Sequence, residues 1–212
     1  LYGVDRITTI KIEGREVQIV YGYSLEVKSK QSELGFTLPG SSIVFLNVQK
    51  MNEMARVIKE AAENGRLIII EKDTFSEEAK KRYKESNRDY IRIHNGNMHS
   101  PVVDRWVRVV YGDLSVDDIS AFQEESTKRH EVMHKLQEFR RNGYHLKDRF
   151  GLSEAAWDKL SESMQERIKL ETAAYLSQMS VEQRPGRMLF NMVFHFLYED
   201  KSQEYYIGSY IF

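Results

Sequence analysis

Apolar and polar positions alternate with a period of two at the start of the chain and take up a helical period at its centre. Ile7, Thr9 and Lys11 alternate with Thr8, Ile10 and Ile12, Glu13-Gly14-Arg15-Glu16 reads as a turn, and Val17 to Val27 is rich in β-branched and aromatic residues. A hairpin is predicted there. Lys28 to Ser42 is polar, carries Gly35, Pro39 and Gly40, and reads as a loop. Ile43-Val44-Phe45-Leu46 is a short continuous apolar run, the pattern of a strand covered on both faces. Met51, Met54, Ala55, Ile58, Ala61 and Ala62 then follow helical spacing, up to a left-handed stop at Asn64-Gly65. Leu67-Ile68-Ile69-Ile70 is a second apolar strand, so this stretch predicts a parallel β-α-β unit with a right-handed crossover.

Thr74-Phe75-Ser76-Glu77 fits a capping box that opens a short polar helix to about Ser86. Tyr90 to His94 and Val102 to Tyr111 read as strands on either side of an Asn95-Gly96-Asn97 turn. Ser115 caps a long helix, about 116–142, closed by Gly143, and Ser153 caps a second, about 154–179. Met188 to Tyr198 and Tyr205 to Phe212 read as a C-terminal hairpin. The predicted fold is α+β: a mixed sheet from the N-terminal strands, the β-α-β unit and the C-terminal hairpin, with the two long helices packed on it. One domain is expected over 1–212, with a strand-rich part (1–112), a helical part (113–187) and the hairpin (188–212).

The first long helix carries the chain's one string of catalytic type, His130-Glu131-Val132-Met133-His134, an H-E-x-x-H. On a helix the two histidines sit one turn apart on one face, where two imidazoles can hold a single zinc ion. Glu131 projects to an adjacent face as a candidate general base. Ile119, Phe122, Val132, Met133, Leu136 and Phe139 form an apolar stripe to one side, and Lys128, Arg129 and Lys135 mark a solvated face, with the histidines at the border. The second helix has its own stripe, Trp157, Leu160, Met164, Ile168 and Tyr175, with Glu171 near its middle. A carboxylate there needs a partner, because burying an unpaired charge is costly. In outline, H-E-x-x-H on one helix and a glutamate on a later one resembles the glutamate-type zincin metallopeptidases. That resemblance covers the two helices and implies His130, His134 and Glu171 as zinc ligands and Glu131 as the catalytic base.

Composition narrows the rest. With 212 residues, 41% hydrophobic and 30% charged, the chain has the make-up of a soluble globular protein with one sizeable core. No apolar run approaches the ~20 residues of a bilayer-spanning helix, and Leu1 to Lys11 lacks the basic-then-apolar build of a signal peptide. There is no cysteine, which excludes disulfides, thiolate ligands and a cysteine nucleophile and fits an intracellular, cytoplasmic setting. The net charge of −1 writes no general attraction to nucleic acid or membrane into the chain. Asn47-Val48-Gln49-Lys50, at the first strand–helix turn, lacks the glycines of a phosphate cradle. Lys81, Arg82, Lys84 and Arg88, interleaved with Tyr83 and Tyr90, form a candidate nucleic-acid patch. The uncharged aromatic end, Tyr205 to Phe212, offers an edge to a second copy or another protein. The first expectation is therefore a binding or assembly protein acting through protein–protein contacts. The alternatives are a zinc-dependent hydrolase of peptidase type and, after it, a nucleic-acid binder.

Overall fold

The computed structural model describes residues 2–24, 34–65, 92–94, 97–99, 101–140 and 157–180. The expected strand at 67–70, the short helix to Ser86 and the C-terminal hairpin lie outside them. β1 (Tyr2–Ile12) and β2 (Arg15–Ser24) form the predicted hairpin, with Ile12 opposite Arg15. Its two turn residues, Glu13 and Gly14, both take positive φ (50° and 79°), the geometry whose twist matches a two-residue hairpin. β2 buries every second side chain (Val17, Ile19, Tyr21). β4 (Ile43–Asn47) runs parallel to β2, and β3 (Gly35–Thr37) pairs antiparallel with β4, so the sheet is mixed with order β1-β2-β4-β3. β3 corrects the reading of 28–42 as loop: three residues are too few to print a period, and Gly35 carries no strand propensity.

α1 (Val48–Asn64) follows β4 directly, with the Asn47 side chain accepting from Lys50 N at 3.1 Å and Gly65 closing it at φ 67°. A small two-strand ribbon, β5 (Arg92–His94) and β6 (Asn97–His99), precedes α2 (Pro101–Tyr111). α2 overturns the strand expected at 102–111. Its valines favour strands, yet Trp106, Val107, Val110 and Tyr111 recur at helical spacing, with Asp104 and Arg105 before them and Arg108 among them, and Pro101 starts the first turn. Val107 and Tyr111 are buried against Ala55, Ile58, Ala61 and Ala62 of α1 and Ile119 of the next helix.

α3 (Val116–Arg140) begins as predicted: Ser115 Oγ accepts from Asp118 N at 3.0 Å while Asp118 Oδ2 accepts from Ser115 N at 3.0 Å. α4 (Glu162–Ser180) does not run unbroken from the helical Trp157: a turn intervenes, with Leu160 N donating to Trp157 O at 3.0 Å, and Ser161 takes the capping role, its Oγ accepting from Met164 N at 3.3 Å. None of the described helices is long and apolar enough to cross a membrane.

α3 packs on several neighbours at once. Ile119 joins the core with α1 and α2, Val132, Leu136 and Phe139 pack on the core made by the sheet and Met51, and α4 covers a further side. The expected solvated face is only partly so. Lys128 and Arg129 pair with Glu125 near the surface, but the side chain of Lys135 is 0% exposed. Its Nζ donates to Leu38 O and to Glu138 Oε2, both at 2.6 Å, and Glu138 Oε1 accepts from Gly40 N at 2.7 Å. The turn between β3 and β4 is thereby fastened over α3. Burial alone would raise the Glu138 carboxyl, but the hydrogen bonds from Lys135 and Gly40 and the Lys135 charge hold it below its ordinary value.

β3 meets α3 closely at Gly35. A Cβ there would stand 2.8 Å from Thr127 Cγ2 and 3.1 Å from both Glu131 Cγ and Leu46 Cδ2. Gly35→Ala is expected to destabilise the fold by about 1–3 kcal/mol through overpacking, read as a lower denaturant midpoint with an unchanged slope.

Candidate metal centre

The two imidazoles and the carboxylate singled out in the sequence converge between α3 and α4. Helical spacing puts His130 and His134 one turn apart, their rings edge to face with centroids 4.7 Å apart. Packing of α4 on α3 brings Glu171 to them from the other side. Its Oε2 lies 3.0 Å from His130 Nε2 and 3.4 Å from His134 Nε2, and the two Nε2 atoms are 3.0 Å from each other. The donor atoms of all three residues lie within 4.8 Å of one another, in partly buried positions. Ligands about 2.0–2.1 Å from a tetrahedral zinc ion sit roughly 3.3 Å apart, so this triangle has the size of one face of such a site.

Each imidazole is held from behind. His130 Nδ1 lies 3.3 Å from Gln178 Oε1, and His134 Nδ1 lies 3.0 Å from Gln137 Oε1. The ring of Tyr175 packs edge to face on His130, with centroids 4.9 Å apart. Neither glutamine was singled out by the sequence reading. Helical spacing holds the signal: Gln137 follows His134 by one turn and Gln178 follows Glu171 by two, so each shares a face with one of the three converging residues.

Glu131 is also buried, at 7% exposure, on the side of α3 that meets β3, with its Cγ beside Gly35. Its charge is felt at His134. The basic residues Lys81, Arg82, Lys84 and Arg88 lie outside the described residues. A cavity of about 770 Å³ lined by Arg15, Ser41, Ser42, Phe139 and Arg140 opens at the C-terminal end of α3 and includes none of the three donor residues.

Proton affinities at the centre are displaced in opposite directions. Burial would raise the Glu171 carboxyl, but hydrogen bonds and charge from His130 and His134 outweigh it and hold the group far below the ordinary carboxylate range. Burial would lower His134, but the hydrogen bond and charge of Glu171, the contact with Gln137 and the charge of Glu131 leave it above 6.5. No family model, curated protein or solved structure matches this chain, so the site stands on its geometry.

The pH dependence of the metal-free fold follows from these two shifts. Glu171, depressed, contributes stability that is fully present above about pH 4.5 and lost as pH falls through its folded value. His134, raised, contributes stability fully present below about pH 6.5 and lost as pH rises through its folded value. Thermal unfolding of the metal-free protein should be highest between those limits, and Glu171→Gln should flatten both limbs.

Proposed function

We propose that this protein is a zinc-dependent hydrolase of peptidase type, with His130, His134 and Glu171 as zinc ligands and Glu131 as the catalytic base. The observation that carries the reading is the meeting of Glu171 Oε2 with both Nε2 atoms, at 3.0 and 3.4 Å. Two imidazole nitrogens and one carboxylate oxygen suit zinc by ligand type, and three protein ligands are the number that catalytic sites use, where closed structural sites use four. Zinc held there supplies Lewis acidity, which lowers the pKa of water and polarises a carbonyl group. The chain's own part is to hold the donors converged, to keep the centre shielded between two helices and to move a proton. Glu131, next to His130 in sequence, takes the proton from the attacking water and passes it to the leaving amine.

A peptide substrate is favoured by the strand beside Glu131. Leu34 O accepts from Asn47 N at 2.7 Å and Leu38 N donates to Ile43 O at 3.3 Å, so these residues turn their backbone groups toward β4. By alternation Gly35 and Thr37 turn theirs away, and among the described residues β3 ends the sheet. An extended peptide can add to that edge by main-chain hydrogen bonds. The assembly reading rests on Tyr205 to Phe212 and the nucleic-acid reading on the segment around Lys81, both outside the described residues, and no observation favours either. An intracellular location rests on the cysteine-free composition.

Metal analysis of the purified protein tests the reading. About one zinc per chain is expected, lost on His134→Ala. Glu131→Gln should keep the zinc while peptide hydrolysis falls about 10²–10⁴-fold. A protein that takes up no zinc overturns the proposal.

A further inference from the structure

We propose that Gln137 and Gln178 are positioning residues which decide the ring nitrogen that His134 and His130 present to the centre, and so set its metal affinity. The inference rests on the metal-site reading above and assigns the supporting layer that reading leaves open. A glutamine amide has an accepting end and a donating end, and the surroundings fix which way each one points. Gln137 Nε2 donates to Leu170 O at 3.0 Å. Gln178 Nε2 donates to Ser126 O at 2.7 Å and to Ser126 Oγ at 2.8 Å. Leu170 O and Ser126 O are carbonyls that only accept, so a flipped amide would set oxygen against oxygen. The carbonyl end of each glutamine is therefore committed to the histidine, at 3.0 Å for His134 and 3.3 Å for His130.

An acceptor at Nδ1 requires a proton on Nδ1. Each ring then turns its Nε2 lone pair toward Glu171 and toward the other ring, and those are the atoms that converge. Such outer partners fix the tautomer and orientation of ligating histidines. The two glutamines do this reciprocally. Gln137 stands on α3 and ties to Leu170 of α4, next in sequence to Glu171, while Gln178 stands on α4 and ties to Ser126 of α3, one turn before His130. The same amides that orient the rings thus set the register of the two helices. A glutamate in either place would accept from the ring but turn a second oxygen on the backbone carbonyl. An amide meets both demands.

Both backbone carbonyls are also interior to helices, so replacing the glutamines strands no backbone acceptor. The test uses Gln137→Met and Gln178→Met, which keep length and bulk. Zinc affinity is measured by chelator competition, and the imidazole N–H signals by proton–nitrogen NMR of the labelled metal-free protein. The expected result is a loss of zinc affinity of about 10–100-fold in each variant. Gln137→Met should also remove exchange protection from the Nδ1–H of His134 alone, and Gln178→Met from that of His130 alone. A loosened fold would instead affect both rings in both variants, and that outcome overturns the proposal, as does wild-type zinc affinity with both N–H signals still protected. Should Gln178→Met fail to fold, Gln137→Met decides by the same readings. If the wild-type protein takes no zinc yet each variant loses its own ring signal, the zinc reading fails and the orienting role of the glutamines stands.

Discussion

Helix α3 has neighbours on several sides, and most of what is specific about this protein follows from that enclosure. The sheet, α1 and α4 each cover part of it, so polar groups on its covered faces must find partners within the protein. Toward the sheet the partners are Leu38 O and Glu138 for the ammonium of Lys135. Toward α4 they are Leu170 O for Gln137 and Gln178 for His130. The motif histidines lie between these two sets of ties, on a segment that cannot turn about its axis without breaking one of them. A site whose donors are held in this way gives up little conformational freedom when a ligand arrives.

The close contact at Gly35 belongs to the same constraint. The backbone of β3 comes this close to the side chains of α3 because Gly35 has no Cβ to hold it off. That puts the backbone of β3 beside Glu131, one residue along from His130. The hydrogen bonds of Gly40 and Lys135 then hold the turn that follows β3. Edge strand, acid and histidine pair are thereby fixed relative to each other by contacts within a few turns of one helix.

Much of this was legible in the residues, and the failures have physical causes. The hairpin, β4, α1 with its Gly65 stop and the Ser115 cap were read from local signals that the fold leaves intact. α2 was misread because β-branched side chains and helical spacing pointed in opposite directions, and burial of Val107 and Tyr111 on α1 decided for the helix. β3 escaped because a three-residue strand exists through its partner β4 and carries no pattern of its own. The convergence of Glu171 with the histidines was foreseen as a question, since a carboxylate in an apolar stripe demands a partner. Which partner it finds depends on how α3 and α4 pack, and no local signal states that. Lys135 looked solvated for the same reason: the turn that buries it lies almost a hundred residues earlier.

The choice of donors has an electrostatic consequence. Two neutral imidazoles and one carboxylate carry a single negative charge between them. A dication held by this set would retain one positive charge in a partly buried place, where an unbalanced ion is expensive. Glu131, whose field already reaches His134, is placed to balance it. Charge balance would then be shared by four residues, so that removing the Glu131 charge would loosen the hold of the three donors without undoing it.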